Sequence, residues 1–113
     1  MQAQVYKDNR LIAGDIRVAG TYLSRLVGLL GQRKLEPGKG LLLTPCKQIH
    51  TCFMSIDIDV IFLNNQGQII KSIADMKPWK KSPRVSGCCQ VLEMAAGFLA
   101  EYELKEGMVL RVD

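Results

Sequence analysis

The chain has 113 residues, with 15 basic and 11 acidic side chains that give a net charge of +4. Apolar residues make up 48% and charged residues 23%, ordinary globular values that exclude a disordered chain. One domain over residues 1–113 is expected, with a core large enough to need no disulfide or metal. Unbroken apolar runs reach only four residues, as at 60–63, which excludes a transmembrane helix.

The N-terminal third predicts two short strands followed by a helix. Residues 5–6 and 16–18 favour strands, and residues 8–10 and 14–15 are prone to turn. Thr21 is a suitable N-cap for a helix over residues 22–31, because the apolar residues that follow form one helical stripe.

The middle of the chain predicts β-structure. Residues 41–43 favour a strand, and residues 49–54 an extended segment. Residues 58–63 are apolar on both faces, which is typical of a central strand. Asn and Gly at 64–67 predict a hairpin turn into a partner strand over 68–73.

The C-terminal third predicts a loop over residues 77–84, a strand over 88–94, a short helix within 95–104 and a last strand over 108–112. About seven strands joined by short turns favour a mainly β (α+β) fold. We expect a small antiparallel, partly closed β-barrel with one or two short helices packed on it.

Five motifs of the sequence resemble, in order, those of the family called domain of unknown function 192. They lie at residues 22–31, 45–54, 58–63, 78–79 and 91–97, within a match from about residue 19 to residue 112. The resemblance implies a compact β-rich domain, widespread in prokaryotes and often exported, with no established activity. Residues 1–8 lack the apolar core of a secretion signal, so the chain itself is predicted to be cytoplasmic, with its cysteines reduced.

Arg25 lies off the apolar stripe of the predicted helix. It is either solvated or paired with a buried acid, Asp59 or Glu93, because such carboxylates are not buried unpaired. Alternatively, its planar guanidinium binds an anionic ligand.

His50 is the only histidine of the chain. In an extended segment His50, Cys52 and Met54 share one face, and imidazole, thiol and thioether together suit a soft ion such as Cu(I). A structural or a ligand-contacting histidine is the alternative. The four cysteines form no Cys-x-x-Cys pair, so their spacing does not predict a zinc site.

Asp57 and Asp59 share a predicted strand face and are candidates for acid–base work or cation binding. The alternative is a surface aspartate beside an internally paired one. No glycine-rich phosphate loop and no Ser–His–Asp spacing occur, and no cofactor is predicted.

The loop over residues 77–84 carries four positive charges around Trp79. A tryptophan among cations can stack on a base or cap an anionic ligand. The alternative is a solvated loop whose tryptophan folds back on the barrel.

These residues support three hypotheses of function. The first is a non-catalytic domain that binds an anionic small molecule or a macromolecular segment, nucleic acid included, through Arg25, His50, Met54, Trp79 and Lys80 with Lys81. The second is an acid–base enzyme that uses His50 with Asp59 or Glu93. The third is soft-metal binding through His50, Cys52 and Met54.

Overall fold

The computed structural model describes residues 2–20, 35–52 and 54–113, and these contain seven strands and one short helix. The elements are β1 (Gln2–Lys7), β2 (Arg10–Ala19), β3 (Lys39–Leu43), β4 (Ile58–Leu63), β5 (Ile69–Met76), β6 (Gln90–Ala95), α1 (Phe98–Glu101) and β7 (Arg111–Val112). The helix predicted over residues 22–31, and Arg25 with it, lies outside the described residues.

The strands form one sheet in the order β5-β4-β6-β3-β2-β1-β7. β2 and β3 run parallel, and the other neighbouring pairs run antiparallel. β4 lies between β5 and β6 and is buried along its whole length, which confirms the predicted central strand.

The two faces of the sheet carry separate apolar clusters because side chains alternate along each strand. On the first face, Ile61 and Leu63 of β4 pack with Phe98 and Leu99 of α1. On the second face, Val60 and Phe62 of the same strand pack with residues of the long connections, among them Ile49.

The sheet curls so that the start of β5 and the chain before β7 are joined at one end, which leaves it a half-barrel and confirms the predicted mainly β fold class; the parallel pair of β2 and β3 departs from the antiparallel sheet expected. Gln68 forms a β-bridge with Val109, and the amide of Leu110 donates to the carbonyl of Gly67 at 2.8 Å. A Cβ at Gly67 would collide with the Leu110 carbonyl, so the closure requires glycine there.

Two predicted elements differ from the structure in their local form. The turn expected at residues 14–15 is a bulge inside β2, since Ala3 pairs with Ile16 and Val5 with Ala13, which leaves two residues of β2 opposite Gln4. The pairing of β2 with β1 and β3 on either side keeps the chain extended through it.

The predicted helix over 95–104 is reduced to the single turn α1. Gly97 (φ 101°) and Glu103 (φ 52°) have left-handed backbones on either side of it, so the helix can extend in neither direction. The strand predicted over 88–94 is observed over Gln90–Ala95. The strand predicted over 108–112 is shorter, because residues 107–110 bond to residues 67–69 before β7 reaches β1.

A candidate functional site on a basic ribbon

Two segments of the connections pair with each other over the second face of the sheet. His50 forms a β-bridge with Lys81, and the amide of Thr51 donates to the carbonyl of Lys80 at 2.8 Å. Further along, the amide of Val85 donates to the carbonyl of Lys47 at 2.8 Å. We call residues 47–51 and 79–85 together the basic ribbon.

The buried side chains of the basic ribbon hold it on the sheet. Ile49 and Ser82 are 6% and 3% exposed, and the Ser82 hydroxyl accepts a hydrogen bond from the Ile49 amide at 3.0 Å. The exposed side chains of the ribbon are Lys47, His50, Trp79, Lys80, Lys81, Pro83 and Arg84. The ribbon therefore presents most of its charge to solvent.

Thr51, which is fully buried, connects the two segments through its backbone and its hydroxyl. The hydroxyl donates to the carbonyl of Lys77 at 2.6 Å and accepts from the amide of Lys80 at 2.8 Å. The Thr51 carbonyl accepts from the amide of Trp79 at 3.0 Å. Every residue of the turn over 77–80 except Pro78 is thus tied to this one threonine.

Lys77 differs electrostatically from the basic ribbon that follows it. Its ammonium lies 2.9 Å from carboxylate oxygens of both Asp57 and Asp75. The hydrogen bonds to Asp57 and Asp75 raise the pKa of Lys77. One of the four charges counted in the predicted loop is therefore neutralised locally.

The cations of the basic ribbon have no such partners among the residues that the structure describes. Across the described part of the chain, no ion pair involves Lys47, Lys80, Lys81 or Arg84. The two segments of the ribbon also contain no aspartate or glutamate. The positive potential of the ribbon is therefore not cancelled within its own segments.

The extended segment predicted over residues 49–54 is wrong beyond Thr51. The Met54 amide donates to the Thr51 carbonyl at 3.2 Å, so the chain turns there and the shared face predicted for His50, Cys52 and Met54 is not formed. His50 is exposed, whereas Met54 is 9% exposed and packs in the apolar cluster of the second face. Among the residues with described positions, no cluster of His, Cys, Asp or Glu is arranged to hold a metal ion.

Asp59 is an internal anchor of the first face. It is 1% exposed, and its carboxylate accepts hydrogen bonds from the amides of Asp75 (2.8 Å), Gly97 (3.1 Å) and Leu99 (2.9 Å). It therefore holds the start of α1 and the end of β5 on β4. No hydrogen bond joins it to His50 within the described ranges.

Glu93 is buried on the opposite face of the same sheet. It pairs with Leu41 of β3 and Val60 of β4, both members of the second apolar cluster. Burial raises the pKa of the Glu93 carboxyl to about 8. No described residue forms a hydrogen bond or ion pair with this carboxyl, and Arg25, its predicted partner, lies outside the described ranges.

The four cysteines are free thiols. Cys46 and Cys88 are buried, and the Cys46 amide donates to the Cys89 carbonyl at 3.0 Å. Burial raises the pKa of the Cys88 thiol, which disfavours the thiolate needed of a nucleophile.

Two hollows lie beside α1 rather than at the basic ribbon. One, of about 500 Å³, is bounded by Lys7, Arg10 and Tyr102, and the other, of about 150 Å³, by Met94 and Phe98. None of the predicted site residues lines either hollow.

Sequence reasoning missed two residues of the basic ribbon. Thr51 has no local signal of its role, since its bonding partners are 26 to 29 residues away in the chain. Lys47 lies outside the loop in which charge was counted, and only the pairing of the two segments adds it to the site.

Together the fold and the surface define a class of protein: a small β half-barrel that carries an exposed basic ribbon. The described part of the chain contains no helix long and apolar enough to cross a membrane.

The chain belongs to the DUF192 family, described as uncharacterized ACR, whose family model matches residues 3–112. This confirms the resemblance of the five motifs. No curated protein matches the sequence.

Two solved structures share the fold. A protein of unknown function from Novosphingobium aromaticivorans DSM 12444 is 18% identical with a TM-score of 0.83, over 97% of this chain and 83% of that chain. A "putative transcription regulator" from Sinorhizobium meliloti 1021 is 20% identical with a TM-score of 0.80, over 98% of this chain and 92% of that one. At these identities the likeness establishes the fold alone.

Proposed function

We propose that this protein is a non-catalytic binding domain whose basic ribbon binds an extended polyanion. The observation that carries the proposal is the cluster of exposed cations without described ion pairs on two paired segments that contain no acid. The adjacent Lys77, held by two carboxylates, is the internal contrast, because it shows what a compensated lysine looks like in the same region.

The exposure of these side chains favours a polyanion over a small anion. A single ion pair in water contributes only about 1 kcal/mol at 4 Å, and salt screens it further. A chain of phosphates or carboxylates meets several cations at once, and binding gains from the release of its condensed counterions. An open ribbon suits that kind of partner better than a ligand that must be enclosed.

No specific observation favours the two alternatives. Catalysis by His50 with Asp59 or Glu93 requires contacts that do not occur among the described hydrogen bonds, and Asp59 is already engaged by backbone amides.

A cytoplasmic location stays a prediction, which the four free thiols support.

The proposal is tested on immobilised inorganic polyphosphate eluted with a salt gradient. The variant Lys80→Ala/Lys81→Ala removes two charges from the basic ribbon, and Lys39→Ala/Lys105→Ala removes two charges elsewhere. We expect the ribbon variant to elute at clearly lower salt than the wild type and the control to stay close to the wild type. Equal elution of the two variants would show that only net charge matters and would overturn the proposal.

A further inference from the structure

We infer that the polyanion is single-stranded nucleic acid, with one base stacked on Trp79 and the phosphates against the cations of the basic ribbon. This inference rests on the proposed function and adds the chemical class of the partner. It is carried by the backbone of the turn over residues 77–80, by the contacts that hold that turn, and by the exposure of its tryptophan.

The turn places an aromatic residue where the backbone favours glycine. Pro78 occupies the second position of the turn and Trp79 the third, with φ of 63°. A positive φ at that position is typical of a type II turn and strongly favours Gly or Asn. A bulky side chain there is an outlier, and strained backbones of this kind cluster at functional sites.

The structure holds Trp79 in this conformation from the opposite segment. The Thr51 carbonyl accepts a hydrogen bond from the Trp79 amide. The Thr51 hydroxyl forms hydrogen bonds with the backbone of Lys77 and Lys80, which flank Pro78 and Trp79. Lys77 is fixed in addition by Asp57 and Asp75. The strain is therefore maintained by contacts with the buried Thr51 and by the ion pairs of Lys77, rather than relieved by a shift of the turn.

The result is a large aromatic surface in solvent beside cations. Trp79 remains 62% exposed, followed directly by Lys80 and Lys81. An aromatic side chain that stacks on a base, next to cations that track the backbone, is the usual composition of a single-strand binding site. An acidic peptide offers no comparable flat π-face, and in a duplex the bases are already stacked on each other, so a single strand fits best.

Trp79 also reports on its own site, because it is the only tryptophan of the chain. The experiment is a fluorescence titration of the full chain with three probes: an oligothymidylate of about ten nucleotides, an abasic phosphodiester oligomer of equal length, and a poly-glutamate of equal charge. We expect the oligothymidylate to quench the emission and to bind roughly tenfold tighter than the abasic oligomer. Four phosphate contacts predict a slope of log K against log salt of about −3.

Two variants separate the base contact from the charge contact, with binding followed by anisotropy of labelled probes. Trp79→Gly relieves the strained φ, so it should fold normally in thermal unfolding, lose the preference for bases and keep its affinity for the abasic oligomer. Trp79→Tyr should retain most of the preference, because its ring still stacks.

The outcomes distinguish the inference from the proposal beneath it. Equal affinity of the wild type for the two oligomers, or tighter binding of poly-glutamate than of the oligothymidylate, overturns the nucleic-acid inference while anion binding by the ribbon stands. If no probe binds, or if Lys80→Ala/Lys81→Ala leaves all affinities unchanged, the proposed function fails as well.

Discussion

The two faces of the sheet each bury one carboxylate, and they treat it in opposite ways. Asp59 and Glu93 lie on neighbouring strands, one register position apart, since Asp59 pairs with Met94 and Val60 with Glu93. On the first face Asp59 accepts three amide hydrogen bonds, whereas on the second face Glu93 receives none from the described residues. The carboxylate of the first face therefore serves the fold, whereas burial favours the protonated form of the carboxyl on the second face.

The basic ribbon belongs to the second face, and its cations likewise have no ion-pair partner among the described residues. Proteins usually satisfy buried polar groups and scatter surface charge, and exceptions concentrate where function requires them. The contrast between the faces teaches where to look for function: away from the hydrogen-bonded end of the barrel and on the side that carries the ribbon.

Asp59→Ala should have the largest effect on stability. The substitution leaves three buried or half-buried amides without an acceptor and frees the start of α1, so we expect the free energy of unfolding to fall by about 3–5 kcal/mol. Urea denaturation measures it. The matched control is Asp57→Ala, whose partner Lys77 keeps Asp75. Equal losses in the two variants would contradict the anchoring role of Asp59.

Glu93→Gln should have the next largest effect, and its sign depends on pH. Because the pKa of Glu93 is raised from 4.5 to about 8, the folded state holds one proton more than the unfolded state between those values. Stability from the protonated carboxyl is thus complete below pH 4.5 and is lost as the pH rises toward 8.

Glutamine keeps the shape of this side chain without the charge, so the variant should be more stable than the wild type at pH 9, by about 2–3 kcal/mol. The difference should shrink toward pH 5. Urea titrations across that range measure it, with the exposed Glu103→Gln as the control. Parallel stability curves for wild type and variant would show that Glu93 is not titrating from a buried, neutral state.

Thr51→Val tests how firmly the second face holds its ribbon. The isosteric change removes the bonds of the hydroxyl to Lys77 and Lys80 and should cost about 1–2 kcal/mol of unfolding free energy. The emission of Trp79 should shift at the same time, because the turn loses its support. Thr51→Ser, which retains the hydroxyl, should restore the wild-type spectrum. An unchanged spectrum in the valine variant would show that the Thr51 hydroxyl does not hold the turn.

The parts of the molecule that sequence reasoning predicted are those decided by neighbouring residues. The unbroken apolar run of β4 predicts a strand buried on both faces, and the turn after it is decided by residues close in the chain, since the Asn64 side chain accepts hydrogen bonds from the amides of Gln66 and Gln68. Gly14 signals a break in β2, but only the register against β1 makes it a bulge rather than a turn.

The candidate site was harder to predict because distant partners decide its geometry and charge. His50, Lys80 and Lys81 were singled out, yet the turn after Thr51, which separates His50 from Met54, depends on the Thr51 carbonyl accepting the Met54 amide. Charge counting along the loop likewise includes Lys77, because its full neutralisation combines the neighbouring Asp75 with Asp57, which is 20 residues away.

The smallest effect on stability should come from the substitution with the largest effect on binding. Lys80→Ala/Lys81→Ala removes exposed side chains without a described ion pair, so the free energy of unfolding should change by no more than about 0.5 kcal/mol. If anything it should rise, because adjacent like charges repel each other in the folded ribbon. Urea denaturation at low and high salt measures both contributions. A clear loss of stability would mean that these lysines hold the second face together, and the contrast between a structural first face and a functional second face would then fail.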